Sequence, residues 1–305
     1  MTLELDPDVA AMVDMIPIGT VDSETLPAIR NADLAGPVEL SEQVERRDHV
    51  VSSEPEVVVR VHRPVGVDGA LACVYSIHGG GYVLGSYAMD DARFDAWCQR
   101  YRIVGVSVEY RLAPETPYPG PLEDCYAGLR WVHQNHQMLG VDPDRIGIAG
   151  VSAGGGLAAA LALLARDRGE VPVRFQLLEC PMLDDRQITP SSRLDGLAIW
   201  TKESNEFGWR SYLGGLYGTP DVPAYAAPAR ATDLEGLPPA YVCVGAVDGF
   251  RDEDVDYANR LNQAGVPTEL HVYQGAPHGV GVLAGTAVAD RYNRGIEEWL
   301  ARQLS

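Results

Sequence analysis

Short apolar runs take turns with helix-patterned segments along most of this chain, and that alternation narrows the fold more than any other feature. The runs lie at 56–64 (EVVVRVHRP), 71–77 (LACVYSI), 102–110 (RIVGVSVEY), 145–150 (RIGIAG), 175–180 (FQLLEC), 240–246 (AYVCVGA) and 268–273 (TELHVY). Helical patterns occupy 90–101, 122–139, 155–168, 252–264 and 287–304. Strands that are apolar almost throughout need cover on both faces, and helices between them supply it. The expected class is therefore α/β, with a mostly parallel central sheet and helices on both sides. A chain of 305 residues can build one large domain of that kind.

Two stretches break the alternation. The first fifty residues are polar and contain prolines, and residues 181–239 separate two strand-like runs. The second stretch includes LAIWTKESNEFGWRSYLGGLYG (197–218), which is rich in aromatic residues. A connection this long is expected to carry structure and a function of its own. Residues 1–50 and an insertion at 185–220 are expected to form a helical cap over one edge of the sheet, with the catalytic domain at 51–305.

The formal net charge of −19 argues against a nucleic-acid partner and against an acidic membrane surface. A soluble substrate that is neutral or cationic fits better. The N-terminal residues are acidic where a signal peptide needs basic ones, and no apolar run approaches the roughly 18 residues of a membrane span. Cys73, Cys98, Cys125, Cys180 and Cys243 are odd in number and share no metal-binding or redox-motif spacing. Buried free thiols, no metal, no organic cofactor and a cytoplasmic location are the expectations. The oligomeric state stays open, a homodimer included.

Between the run at 145–150 and the helix at 155–168 stands Gly150-Val151-Ser152-Ala153-Gly154. A G-x-S-x-G sequence at a strand-to-helix turn holds its serine strained and exposed, beside a helix N-terminus that favours developing negative charge. The overlapping Gly154–Ala159 resembles a dinucleotide fingerprint, but it begins inside the helix rather than in the turn before it. A serine hydroxyl needs a base. Among the seven histidines, His278 lies in a loop of small residues (YQGAPHGVGV) after a strand and before the last helix. The orienting acid is sought in VDGFRDED, where Asp248 stands at a strand mouth. Asp252 and Asp254 fall in a helical first turn, where negative charge is favoured for another reason. The chain order Ser152, Asp248, His278 is that of an α/β-hydrolase.

His78-Gly79-Gly80-Gly81 follows the apolar run 71–77 directly. Consecutive glycines weaken a fold unless bare backbone must approach something. HGGG loops of this kind supply amides to a tetrahedral oxyanion, together with the amide of the residue after the nucleophile, here Ala153.

HGGG, EYRLAPETPYPGPLEDC (109–125), GVSAGG, VDGFRDED and APHG occur in this order. Together they resemble the bacterial hormone-sensitive-lipase-like carboxylesterases, over about 71–304. The resemblance implies an α/β-hydrolase fold with a helical cap, oxyanion donors at Gly80, Gly81 and Ala153, and a loop-orienting rather than catalytic His78. Val151, Gly249 and Val280 depart from the family pattern. The expected function is serine-dependent hydrolysis of short-chain or small-alcohol esters through an acyl-enzyme. An amidase or peptidase on the same triad is one alternative, and a non-catalytic small-molecule binding protein is another. Tyr82, Leu84, Phe207, Trp209, Tyr212 and Val280 are the expected pocket walls.

Overall fold

The computed structural model describes residues 4–13, 19–32 and 38–304. Eight strands form one sheet in the order β1-β2-β4-β3-β5-β6-β7-β8. They are β1 (Val44–Ser53), β2 (Glu56–Pro64), β3 (Leu71–Ile77), β4 (Val104–Glu109), β5 (Val141–Val151), β6 (Gln176–Glu179), β7 (Ala240–Val247) and β8 (Thr268–Pro277). β2 runs antiparallel to β1 and β4, and every other pairing is parallel. The helices among the described residues are α1 (Pro7–Val13), α2 (Leu26–Asn31), α3 (Asp91–Tyr101), α4 (Gly120–Gln134), α5 (His136–Leu139), α6 (Ala153–Arg168), α7 (Lys202–Leu213), α8 (Arg251–Gln263) and α9 (Ala287–Leu304). None is long and apolar enough to cross a membrane.

Side-chain alternation along the strands divides the interior in two. Cys73, Tyr75 and Ile77 of β3 point into a core shared with α4, α6 and α8. Ala72 and Val74 point the other way, into a second core built with α3 and α9. The alanine- and leucine-rich α6 is buried almost all round, because it lies against the sheet and beneath other elements. All five cysteines are free and buried, and act as small apolar side chains.

The N-terminal boundary needs correction. Residues 44–50, expected in the cap, belong to β1, which pairs with β2 at the sheet edge. The strand is mostly exposed and carries Glu45, Arg46, Arg47 and Asp48, so it lacks the apolar signature of its buried neighbours. Charges on an edge strand also discourage pairing with another chain. Residues 1–3, 14–18 and 33–37 of the expected cap lie outside the described residues. Of the rest, α1 packs through Val9 into the second core, and the Asp6 amide donates to Gly275 O at 2.9 Å. The Val21 amide donates to Ser204 Oγ of α7 at 2.9 Å. Arg30 of α2 donates to the carbonyls of Val83 (2.8 Å) and Ala113 (2.7 Å) and pairs with Glu115.

Candidate active site

Ser152 follows β5 directly and is the residue before α6, with φ 58° and ψ −122°. A non-glycine residue held at positive φ costs about 1–3 kcal/mol and persists only where its surroundings enforce it. Here its amide donates to Glu179 O at 2.8 Å, and its carbonyl accepts from the Met182 amide at 2.9 Å. The turn also presses against the end of β3. A methyl group added to Gly154 would lie 2.0 Å from Ile77 O and 2.4 Å from His78 O. Gly154→Ala should therefore destabilise the protein by at least the ~1–3 kcal/mol typical of overpacking. Thermal and urea unfolding would measure it, and an unchanged midpoint would show that the two turns are free to separate.

His278 follows β8, and its Nε2 lies 2.9 Å from Ser152 Oγ. Its Nδ1 lies 2.8 Å from Asp248 Oδ2, and the other carboxylate oxygen of Asp248 accepts from the Phe250 amide at 3.0 Å. An ionised carboxylate only accepts, so Nδ1 carries a proton and Nε2 is free to accept the serine proton. The Phe250 ring meets His278 edge-on at 5.0 Å between centroids. All three side chains are largely buried. Burial pushes the His278 pKa down, but the Asp248 carboxylate and the adjacent Cys180 outweigh it and hold the value well above that of an ordinary imidazole.

Neither neighbouring acid hydrogen-bonds His278 among the described residues. Asp252 accepts from the Ser191 amide at 2.7 Å and pairs with Arg251, while Asp254 is fully buried on α8. The Cys180 Sγ, an Asp248 oxygen and a His278 nitrogen lie within 4.8 Å of one another.

The glycine loop runs beside the serine. His78 stacks on Tyr110 at 4.2 Å, its Nδ1 donates to Gly79 O at 2.8 Å, and its own carbonyl accepts from Tyr110 OH at 3.0 Å. Burial lowers the His78 pKa to about 4, so the ring is a neutral brace for the loop. Gly81 takes φ 60°, and a methyl there would meet the Trp200 ring at 2.1 Å. The indole therefore rests directly on the loop backbone.

Ser152 and His278 open into a cavity of about 520 Å³, which Gly79 and Gly80 also line. Its apolar wall comprises Val21, Leu84, Met89, Trp97, Ile199 and Trp200, and its polar side holds Asp90, Arg93, Asn293 and Glu297. Leu84 is thus the one expected wall residue found there. Tyr82, Trp209 and Tyr212 are instead fully buried. Tyr82 stacks on Tyr212 at 4.0 Å and tilts against Trp209 at 5.4 Å, fastening α7 to the glycine loop. Phe207 is half-buried against the first core, and Val280 is buried in the second. The face of α7 richest in aromatics turns inward because burying it removes the most apolar area from water. Trp200 and Ile199 sit in the same aromatic segment, one turn before α7. Val21, Asp90 and Arg93 carry no local signal of a pocket role.

A mostly parallel sheet with a strained serine after β5, and a histidine and aspartate from the loops after β8 and β7, is the architecture of an α/β hydrolase. The comparisons agree: the α/β-hydrolase-fold family matches residues 74–281. Esterase LipI of Mycobacterium tuberculosis (strain ATCC 25618 / H37Rv) is 40% identical over 231 residues, 73% of this chain and 70% of that protein. Carboxylesterase NlhH of the same strain is 34% identical over 313 residues, 96% of this chain and 94% of that protein. The solved structure described as bacterial heroin esterase superposes with a TM-score of 0.93 at 40% identity, covering 99% of this chain and 98% of that one. The chain belongs to the hormone-sensitive-lipase-like carboxylesterases of the α/β-hydrolase family, and it is a carboxylic ester hydrolase.

Proposed function

We propose that the chain is a serine carboxylesterase for small, short-chain esters and works through an acyl-enzyme. The observation that carries this is the continuous hydrogen-bond path from Ser152 Oγ through His278 to Asp248, at 2.9 and 2.8 Å, opening on a cavity. His278 Nε2 takes the hydroxyl proton as Ser152 Oγ attacks the ester carbonyl. The amides of Gly80, Gly81 and Ala153 receive the oxyanion, aided by the N-terminus of α6. The tetrahedral adduct collapses as His278 gives the proton to the departing alkoxide oxygen. Water then enters, loses a proton to the same nitrogen, and releases the acid. Asp248 keeps the proton on Nδ1 and stabilises the imidazolium in both halves.

Residues around Val21, Ile199, Trp200 and α7 act as the cap. They roof the serine, and the apolar wall they help to form sets chain length. Each added methylene contributes about 0.8 kcal/mol while the wall can bury it, and overpacking opposes further growth. For p-nitrophenyl esters from acetyl to palmitoyl, kcat/KM should peak between about two and six carbons. A rise continuing through dodecanoyl and palmitoyl would reject the short slot. Trp200→Ala should move the maximum to longer chains, and an unmoved maximum would remove Trp200 from the wall.

A further inference from the structure

The polar side of the cavity holds a carboxylate that the mechanism does not use. Asp90 is 6% exposed and lines the same cavity as Ser152. It occupies the N-cap position of α3, where an aspartate ordinarily accepts from the first-turn amides, yet its side chain makes no capping hydrogen bond. Its Oδ2 has no hydrogen-bond partner among the described residues. The nearby cation is engaged elsewhere: Arg93 donates to both oxygens of buried Glu179, at 2.5 and 3.1 Å. Across the cavity, Glu297 pairs with Arg100 at 2.5 Å. The Asp90 carboxylate is left with the Ser76 hydroxyl and forms no salt bridge among the described residues. A buried, unsatisfied oxygen of this sort costs stability and calls for a partner that arrives from outside the chain.

Building on the esterase reading above, we propose that Asp90 selects esters whose alcohol or acyl part bears a protonated amine. An ammonium reaching Asp90 from the cavity would pair with its carboxylate, and the two charges would balance in a site from which water is largely displaced. Burial raises the Asp90 pKa against the opposing influence of Arg93 and the Ser76 hydroxyl, and a bound cation restores the ionised form. The net charge of −19 adds attraction for cations at longer range, but that part is screened by salt, whereas a buried contact is screened little.

The test pairs isosteres that differ only in charge: 2-(dimethylamino)ethyl acetate against 3-methylbutyl acetate, and the next longer homologue of each. At neutral pH and 0.5 M salt, the wild-type protein should favour the cationic ester by about tenfold in kcat/KM, the size expected of a hydrogen bond to a charged group. In Asp90→Asn and Asp90→Ser the cationic-to-neutral ratio should fall towards one, whatever the absolute rates. A wild-type ratio of one or less, or a ratio that survives both substitutions, overturns the proposal. Titration calorimetry of wild-type protein with 2-(dimethylamino)ethanol and 3-methylbutan-1-ol gives a second reading that needs neither a folded variant nor turnover. Equal affinity for the two alcohols likewise overturns it. Ser152-dependent hydrolysis of neutral esters without a preference for the amine sinks this inference alone. Hydrolysis that persists in Ser152→Ala sinks the esterase mechanism instead.

Discussion

Ser152→Ala is expected to lower kcat for p-nitrophenyl acetate by roughly a millionfold, to the level left by binding and oxyanion contacts alone. The effect is this large because Ser152 Oγ is the only side-chain oxygen in contact with His278 Nε2 among the described residues, so no other hydroxyl inherits the base. The fold should survive, since alanine retains the backbone bonds to Glu179 and Met182 and relieves nothing but a hydroxyl. An organophosphonate should add one adduct, located on Ser152 by peptide mapping and absent from the variant. An adduct on Ser76 or Ser86, or activity within a hundredfold of wild type, would remove Ser152 from the mechanism.

Asp248→Asn comes next in size, with a loss of about 10⁴ in kcat. An asparagine in this place can offer its amide N–H to Nδ1, which favours the tautomer whose Nε2 already carries a proton and cannot accept another. The pH profile separates this from a folding defect. Activity needs unprotonated His278 Nε2, so it rises as pH climbs through the His278 pKa. The Asp248 carboxylate holds that pKa above the ordinary value of about 6.5, so the wild-type acid limb lies above that pH. Without the carboxylate, burial acts unopposed by its main counterweight, and the residual activity of Asp248→Asn should have its acid limb at lower pH. Asp252→Asn should cost far less, because that carboxylate serves Ser191 and Arg251. A reversed order of the two substitutions, or an acid limb that does not move, would show that Asp248 does not hold the imidazole.

How much of this was legible beforehand differed by element, for physical reasons. The bounds read for β2, β3 and α9 coincide with those of the structure, because an alternating antiparallel strand, a buried parallel strand and a long amphipathic helix write their environment into local periodicity. The edge strand β1 did not announce itself, since one neighbour and a mostly exposed surface leave the choice of side chains nearly free. The stretch 122–139 reads as one helix but breaks at Asn135 into α4 and α5, a turn that hydrophobic spacing does not record. In the site, Ser152, Asp248 and His278 could be named because each stands at a strand end amid small residues, a local context. The cavity walls could not. Whether Trp209 or Trp200 faces the cavity depends on how α7 rotates against the glycine loop, which is a property of the assembled fold.

The contact between Trp200 and Gly81 makes one side chain answerable to two demands. The indole bounds the space for the substrate and also braces the backbone proposed to receive the oxyanion. On the proposed mechanism, variation at position 200 would therefore reach chain-length preference and acyl-transfer rate together. On that mechanism, a change that reshapes the pocket there is expected to call for compensation in the glycine loop or at Gly208, whose own close approach to Gly81 O leaves no room for a methyl. Leu84 and Ile199 line the same wall away from that contact, and they offer routes by which selectivity can drift while the rate is preserved.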